Sequence, residues 1–166
     1  SNENQTVLDI KIHGVWRGEV VDIGGQGQVF DTIKIPHGSL ARAIGKPEVP
    51  SFPINIALLG QGNGLAIEQI ESNQLVTLDN ILLAPAQLYI EDTPKNGGVN
   101  DPLIPFEIDS TFYQQQDEPW PQGLGEVFNQ ITLRGSFRMQ TVCPGFVQYN
   151  PAIGQMTVIT NSRVVI

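Results

Sequence analysis

A single cysteine, Cys143, stands in the whole chain. An internal disulfide is therefore excluded, and the thiol in Val142-Cys143-Pro144 reads as a small, inert, buried hydrophobe. Histidine is nearly as scarce. His13 and His37 lie in separate segments without ligand spacing, which argues against a zinc centre. His37-Gly38-Ser39 sets a base beside a hydroxyl, but neighbours in sequence rarely form a productive dyad. Basic residues number 9 against 17 acidic ones, for a net charge of −8. Nucleic acid and anionic lipid surfaces both need a basic footprint, so neither is expected as a partner. No apolar run approaches the about 20 residues of a membrane-spanning helix. Charge of either sign is sparse, at 16%.

What is present is a folded domain's composition. The chain has 166 residues, 40% of them hydrophobic. At that length one core buries about 70% of the surface the unfolded chain exposes, so no metal or disulfide staple is needed. Gln, Asn, Gly and Pro are plentiful, a mix that suits an extracellular or cell-surface β-protein, with a virion as a further setting. The chain starts at Ser1 without Met, as a processed form or an excised domain would.

The hydrophobic period is two almost throughout, which predicts strands with one wet face. Leu8, Ile10 and Ile12 alternate with Asp9, Lys11 and His13, and Ile54, Ile56 and Leu58 with Asn55 and Ala57. Phe106, Ile108 and Phe112 share a face opposite Glu107, Asp109 and Thr111. The cleanest alternation sets Ile131, Leu133, Gly135, Phe137 and Met139 against Thr132, Arg134, Ser136, Arg138 and Gln140. Gly60-Gln61-Gly62-Asn63-Gly64, Asn96-Gly97-Gly98 and Pro144-Gly145 mark turns, and Asn73-Gln74 suggests another. Pro85 splits the run from Val76 to Ile90 or puts it on an edge. The run from Met156 to Ile166 is strand-like to its end. One short helix is predicted near 39–45, capped by Ser39 and closed by Gly45. The fold class is all-β: a two-sheet antiparallel sandwich of jelly-roll type over residues 1–166, with a partly open barrel as the alternative.

One phrase occurs twice. Gly25-Gln26-Gly27-Gln28-Val29-Phe30-Asp31-Thr32-Ile33-Lys34-Ile35 is echoed by Gly123-Leu124-Gly125-Glu126-Val127-Phe128-Asn129-Gln130-Ile131-Thr132-Leu133. Each copy reads as a glycine turn that launches a strand. Weak internal duplication and convergence both account for it.

No catalytic set emerges. Gly60–Gly64 fails the dinucleotide pattern, because Leu65 stands where the third glycine belongs, and it lacks the Lys-Ser/Thr ending of a triphosphate loop. The acidic loop with Asp92 and Asp101 offers hard oxygens for calcium without EF-hand spacing, and Lys95 counts against it. A solvated turn is the simpler reading, and no other cofactor is implied. Two features suit binding. Trp120 lies between Pro119 and Pro121, near Asp117, and an exposed ring there would stack on a sugar or anchor a protein. The plainer alternative is a Trp that plugs the core. Arg134 and Arg138 share one strand face in an acidic protein and suit an acidic partner or cross-strand acids.

The expected function is a non-enzymatic structural or interaction domain of a surface, filament or virion assembly. It would meet a protein partner, or copies of itself, through sheet edges. The alternatives are a carbohydrate-binding module and a β-scaffold enzyme acting on saccharides.

Overall fold

A computed structural model describes residues 5–21, 27–40, 43–58, 64–87, 106–115, 118–133 and 137–166. Two four-stranded antiparallel sheets organise them, each around one long strand. The strands of the first half are β1 (Val7–Lys11), β2 (Trp16–Val21), β3 (Val29–Lys34), β4 (Ser39–Leu40), β5 (Pro50–Ser51), β6 (Ile54–Leu58) and β7 (Gln69–Leu78). A helix, α1 (Ser110–Gln115), precedes β8 (Gly125–Val127), β9 (Ile131–Leu133), β10 (Phe137–Pro144), β11 (Val147–Asn150) and β12 (Gln155–Val165).

In the first sheet β12 carries β7 along one edge, while β11 and β1 share the other. In the second, β10 carries β6 along one edge, while β8 and β9 share the other. The same plan thus appears twice. Val142 of β10, Tyr149 of β11 and Met156, Val158 and Val164 of β12 are fully buried in one cluster, with Ile54 and Ile56 of β6 packed on it. The inner faces of both sheets therefore share a core, and the all-β antiparallel expectation holds.

Between the sheets' strands runs Ile81–Ala86, tied in by isolated bridges from Leu83 to Asp31, Pro85 to Pro47 and Ala86 to Ile44. Its buried backbone groups need partners, and side chains supply several. Asp31 accepts from the Leu82 amide at 2.8 Å and from Arg17 Nε at 2.6 Å. The Tyr149 hydroxyl donates to the Ile81 carbonyl at 2.9 Å, and the Tyr113 hydroxyl donates to the Leu83 carbonyl at 2.6 Å.

The helix predicted near 39–45 is absent from the described residues there. Ser39 and Leu40 form β4 against β5, with Ser39 Oγ 2.9 Å from Ser51 Oγ. Gly45 then donates to the Ala86 carbonyl at 2.8 Å. So short a helix has little stability of its own, and tertiary pairing wins. The helix lies instead at Ser110–Gln115, where alternation predicted a strand. Asp109 caps it: its carboxylate accepts from the Phe112 amide at 3.0 Å. The turn expected at Asn73-Gln74 is also missing. β7 runs through it, and the pairing with β12 takes up the irregularity as a register shift around Asn161.

Candidate interaction surface

The second sheet turns the chain's cleanest amphipathic pattern inside out. On β10 the positions facing the core are Gln140 and Val142, 6% and 0% exposed. Phe137, Met139, Thr141 and Cys143 lie on the outer side, and Phe137 is 50% exposed. Opposed residues of an antiparallel pair share a face. Ile131, opposite Met139, is therefore also outward and 48% exposed. The expected single strand is a pair of antiparallel strands, β9 and β10, with its apolar side in solvent.

Gln140 explains how a polar residue takes the core position. Its Oε1 accepts from the Leu65 amide at 2.7 Å, and its Nε2 donates to the Phe128 carbonyl at 2.8 Å. A satisfied amide in the interior avoids the penalty of a buried unpaired group. It also fixes the register, since a slip of one residue would exchange the two faces.

A bulge joins β8 to β9. The Phe128 amide donates to the Thr141 carbonyl at 2.9 Å, extending the pairing of Val127 with Val142. Ile131 then stands opposite Met139. Three residues on one strand span two on the other, so one residue is extra. Phe128 and Ile131 are an odd number apart and would otherwise point to opposite sides. With the bulge both point out, and Phe128 is 49% exposed. The outer face thus carries Phe128, Ile131, Phe137 and Met139 side by side, next to exposed Ala57 of β6. At one end Thr141 Oγ1 bonds Asn55 Oδ1 at 2.7 Å, and Cys143 lies opposite Glu126. Desolvation first, and the Glu126 charge second, push the Cys143 thiol pKa up. The thiol is therefore protonated and a poor nucleophile at neutral pH.

The other sequence-derived site residues lie elsewhere. Trp120 is half-buried against the core. Its ring meets Phe112 edge-on at 5.7 Å, and its backbone exchanges two 2.8 Å hydrogen bonds with Tyr149. Arg138 is half-buried, and its Nη1 donates to Gln130 Oε1 at 3.2 Å. Arg134, Asp117 and the calcium candidates Asp92 and Asp101 fall outside the described residues. Among the described residues no three His, Cys, Asp or Glu side chains converge as metal ligands would.

The two copies of the repeated phrase have different fates. Phe30 is 2% exposed in the core and packs on Phe106 at 5.7 Å, whereas Phe128 is on the surface. The outward face itself escaped sequence reasoning. Alternation shows that a strand has an apolar side, not whether that side meets the core or a partner.

The architecture is shared with β-rich pro-domains. Its fold matches a chain from the complex of Porphyromonas gingivalis RgpB pro- and mature domains, with a TM-score of 0.72 and 17% identity, over 99% of this chain and 79% of that one. It also matches a chain from a structure on the zymogenic latency of gingipain K from Porphyromonas gingivalis, with a TM-score of 0.73 and 19% identity, over 99% and 86%. A search of curated proteins finds no match. The chain belongs to the Propeptide_C25 family, whose model matches residues 3–166.

Membership overturns the functional expectation. A propeptide family covering nearly the whole chain leaves no place for a structural domain of a surface, filament or virion assembly, a carbohydrate-binding module or a saccharide enzyme. Of the expected partners a protein stands, while glycan and self-assembly find no support in these relatives.

Proposed function

We propose that this chain is the pro-domain of a cysteine peptidase precursor, binding the mature domain and holding it latent. The observation that carries this reading is the family match over residues 3–166. The likeness to two pro-domain structures supports it, one of them in a complex of pro- and mature domains. The chemistry agrees. An inhibitory domain needs a rigid scaffold and a contact surface rather than a nucleophile, and the Cys143 thiol is held protonated. A secreted or cell-surface setting goes with this reading, and a virion does not.

The test is a titration of the purified chain into the mature peptidase domain of the same precursor. Peptide hydrolysis should fall away near one equivalent, with a 1:1 complex in size-exclusion chromatography. Full activity in the presence of a large excess of the chain would end the reading.

A further inference from the structure

The two sheets differ on their outer sides. On the first, Asp9, Arg163 and Glu71 lie in one row across β1, β12 and β7, with Arg163 Nε 3.0 Å from Asp9 Oδ1. This charged row separates the exposed Val7 from the exposed Leu75, so the apolar residues do not join. On the second, Phe128, Ile131, Phe137 and Met139 are contiguous, and the bulge and the buried Gln140 both act to keep them outward. A sheet face meant for water would carry Gln140 outside and the phenylalanines within. The inverted face is an apolar surface held ready for a partner.

We propose that the outer face of β8, β9 and β10, anchored by Phe128, Ile131 and Phe137, is the surface that docks on the mature peptidase domain. This rests on the pro-domain reading and names the part of the fold that performs it. The occupant is an apolar patch of that domain. A membrane of anionic lipid would require cations, and on this face the described charge is Glu126. Half-exposed aromatic side chains such as Phe128 and Phe137 are common anchors of protein interfaces.

The experiment compares three forms of the chain for binding to, and inhibition of, the mature domain of the same precursor. They are the unaltered chain, the double variant Ile131→Thr/Phe137→Thr, and Leu75→Thr on the opposite outer face. The double variant should bind about tenfold or more weakly, while Leu75→Thr binds as the unaltered chain does. Equal binding by all three, with the unaltered chain still inhibiting, would overturn the docking face and leave the pro-domain reading intact. Failure of the unaltered chain to bind would overturn both. A fold problem in the double variant is bypassed by hydroxyl-radical footprinting of the unaltered chain, alone and in the complex. Met139 and Phe137 should be protected in the complex, and unchanged labelling would refute the proposal. Sedimentation covers the remaining occupant. Dimers of the unaltered chain that the double variant abolishes, with peptidase affinity unchanged, would assign the face to a second copy instead.

Discussion

The side-chain amide of Gln140 donates to the backbone carbonyl of Phe128 at 2.8 Å, tying a core position to the residue that opens the bulge. The same side chain accepts from Leu65, so one residue holds three segments together. Gln140→Leu would keep the volume but leave the part-buried Phe128 carbonyl and Leu65 amide without this partner. A loss of about 1–3 kcal/mol is expected, read as a lower urea midpoint. A midpoint unchanged from the unaltered chain would show that Gln140 does not set the register.

Asp31 plays the same part on the other side of the core. It is 7% exposed and accepts from both Arg17 and the Leu82 amide. Asp31→Ala leaves the Leu82 N–H unpaired and frees Arg17, whose side chain is already 46% exposed. The amide dominates, because Arg17 can turn to water. A stability loss of about 1–3 kcal/mol should follow. Arg17→Ala should cost less, since Asp31 keeps the Leu82 bond. Equal losses in the two variants would contradict this ranking.

Much of the fold was legible because burial leaves a period-two imprint. Leu8 and Ile10, Ile54 and Ile56, and the long run from Met156 lie where alternation places them. Besides the turn missing at Asn73-Gln74, three readings failed for separate physical reasons. Ser39 looked like a cap but pairs with Ser51 across a short ladder, a contact 12 residues away that local propensity cannot register. Asp109 looked like the wet side of a strand but caps a helix, since Asp suits either role. Phe137 and Ile131 looked like core and face outward, because an interface and an interior select the same residue types.

Two buried phenols predict alkaline sensitivity. Burial chiefly raises the pKa of Tyr113, with the charges of Tyr149 and Glu48 adding to it. Burial likewise raises that of Tyr149, opposed by its bond with Leu83. In the unfolded chain both ionise near pH 10. Below that pH their contribution is fully present. As pH rises toward the raised native values the unfolded state loses protons first, and stability falls. Denaturant midpoints should be flat through neutrality and decline above about pH 10. Tyr113→Phe should cost about 1 kcal/mol at neutral pH and make the alkaline decline shallower. A decline of the same steepness in the variant would exclude Tyr113 as a source.

The Cys143 thiol should be slow to alkylate. Its pKa is raised by burial and by Glu126, so little thiolate exists at neutral pH. Iodoacetamide at pH 7.5 should modify it more slowly than an unstructured peptide cysteine, and the rate should climb through the alkaline range. Glu126→Gln removes the lesser cause and should speed modification modestly. Labelling as fast as that of the free peptide would show an open, unperturbed thiol.

The repeated glycine phrase supplies the sharpest contrast. Gly27 and Gly125 occupy equivalent places in the two copies, and both have positive φ, +73° and +122°. A Cβ at Gly27 would meet nothing within 4 Å, so Gly27→Ala should cost only the backbone strain, about 1–2 kcal/mol. At Gly125 the added carbon would run into the Cys143 carbonyl and stand 2.7 Å from the Gly145 nitrogen and 2.8 Å from Pro144 Cα. All three are backbone atoms, and none can rotate away. Gly125→Ala should therefore push β8 off β10 and cost about 3 kcal/mol or more. The loss of β8 would also carry Phe128 out of the outer face. Thermal melts of the two variants decide the matter: equal destabilisation would mean that β8 does not pack against β10 at Gly125.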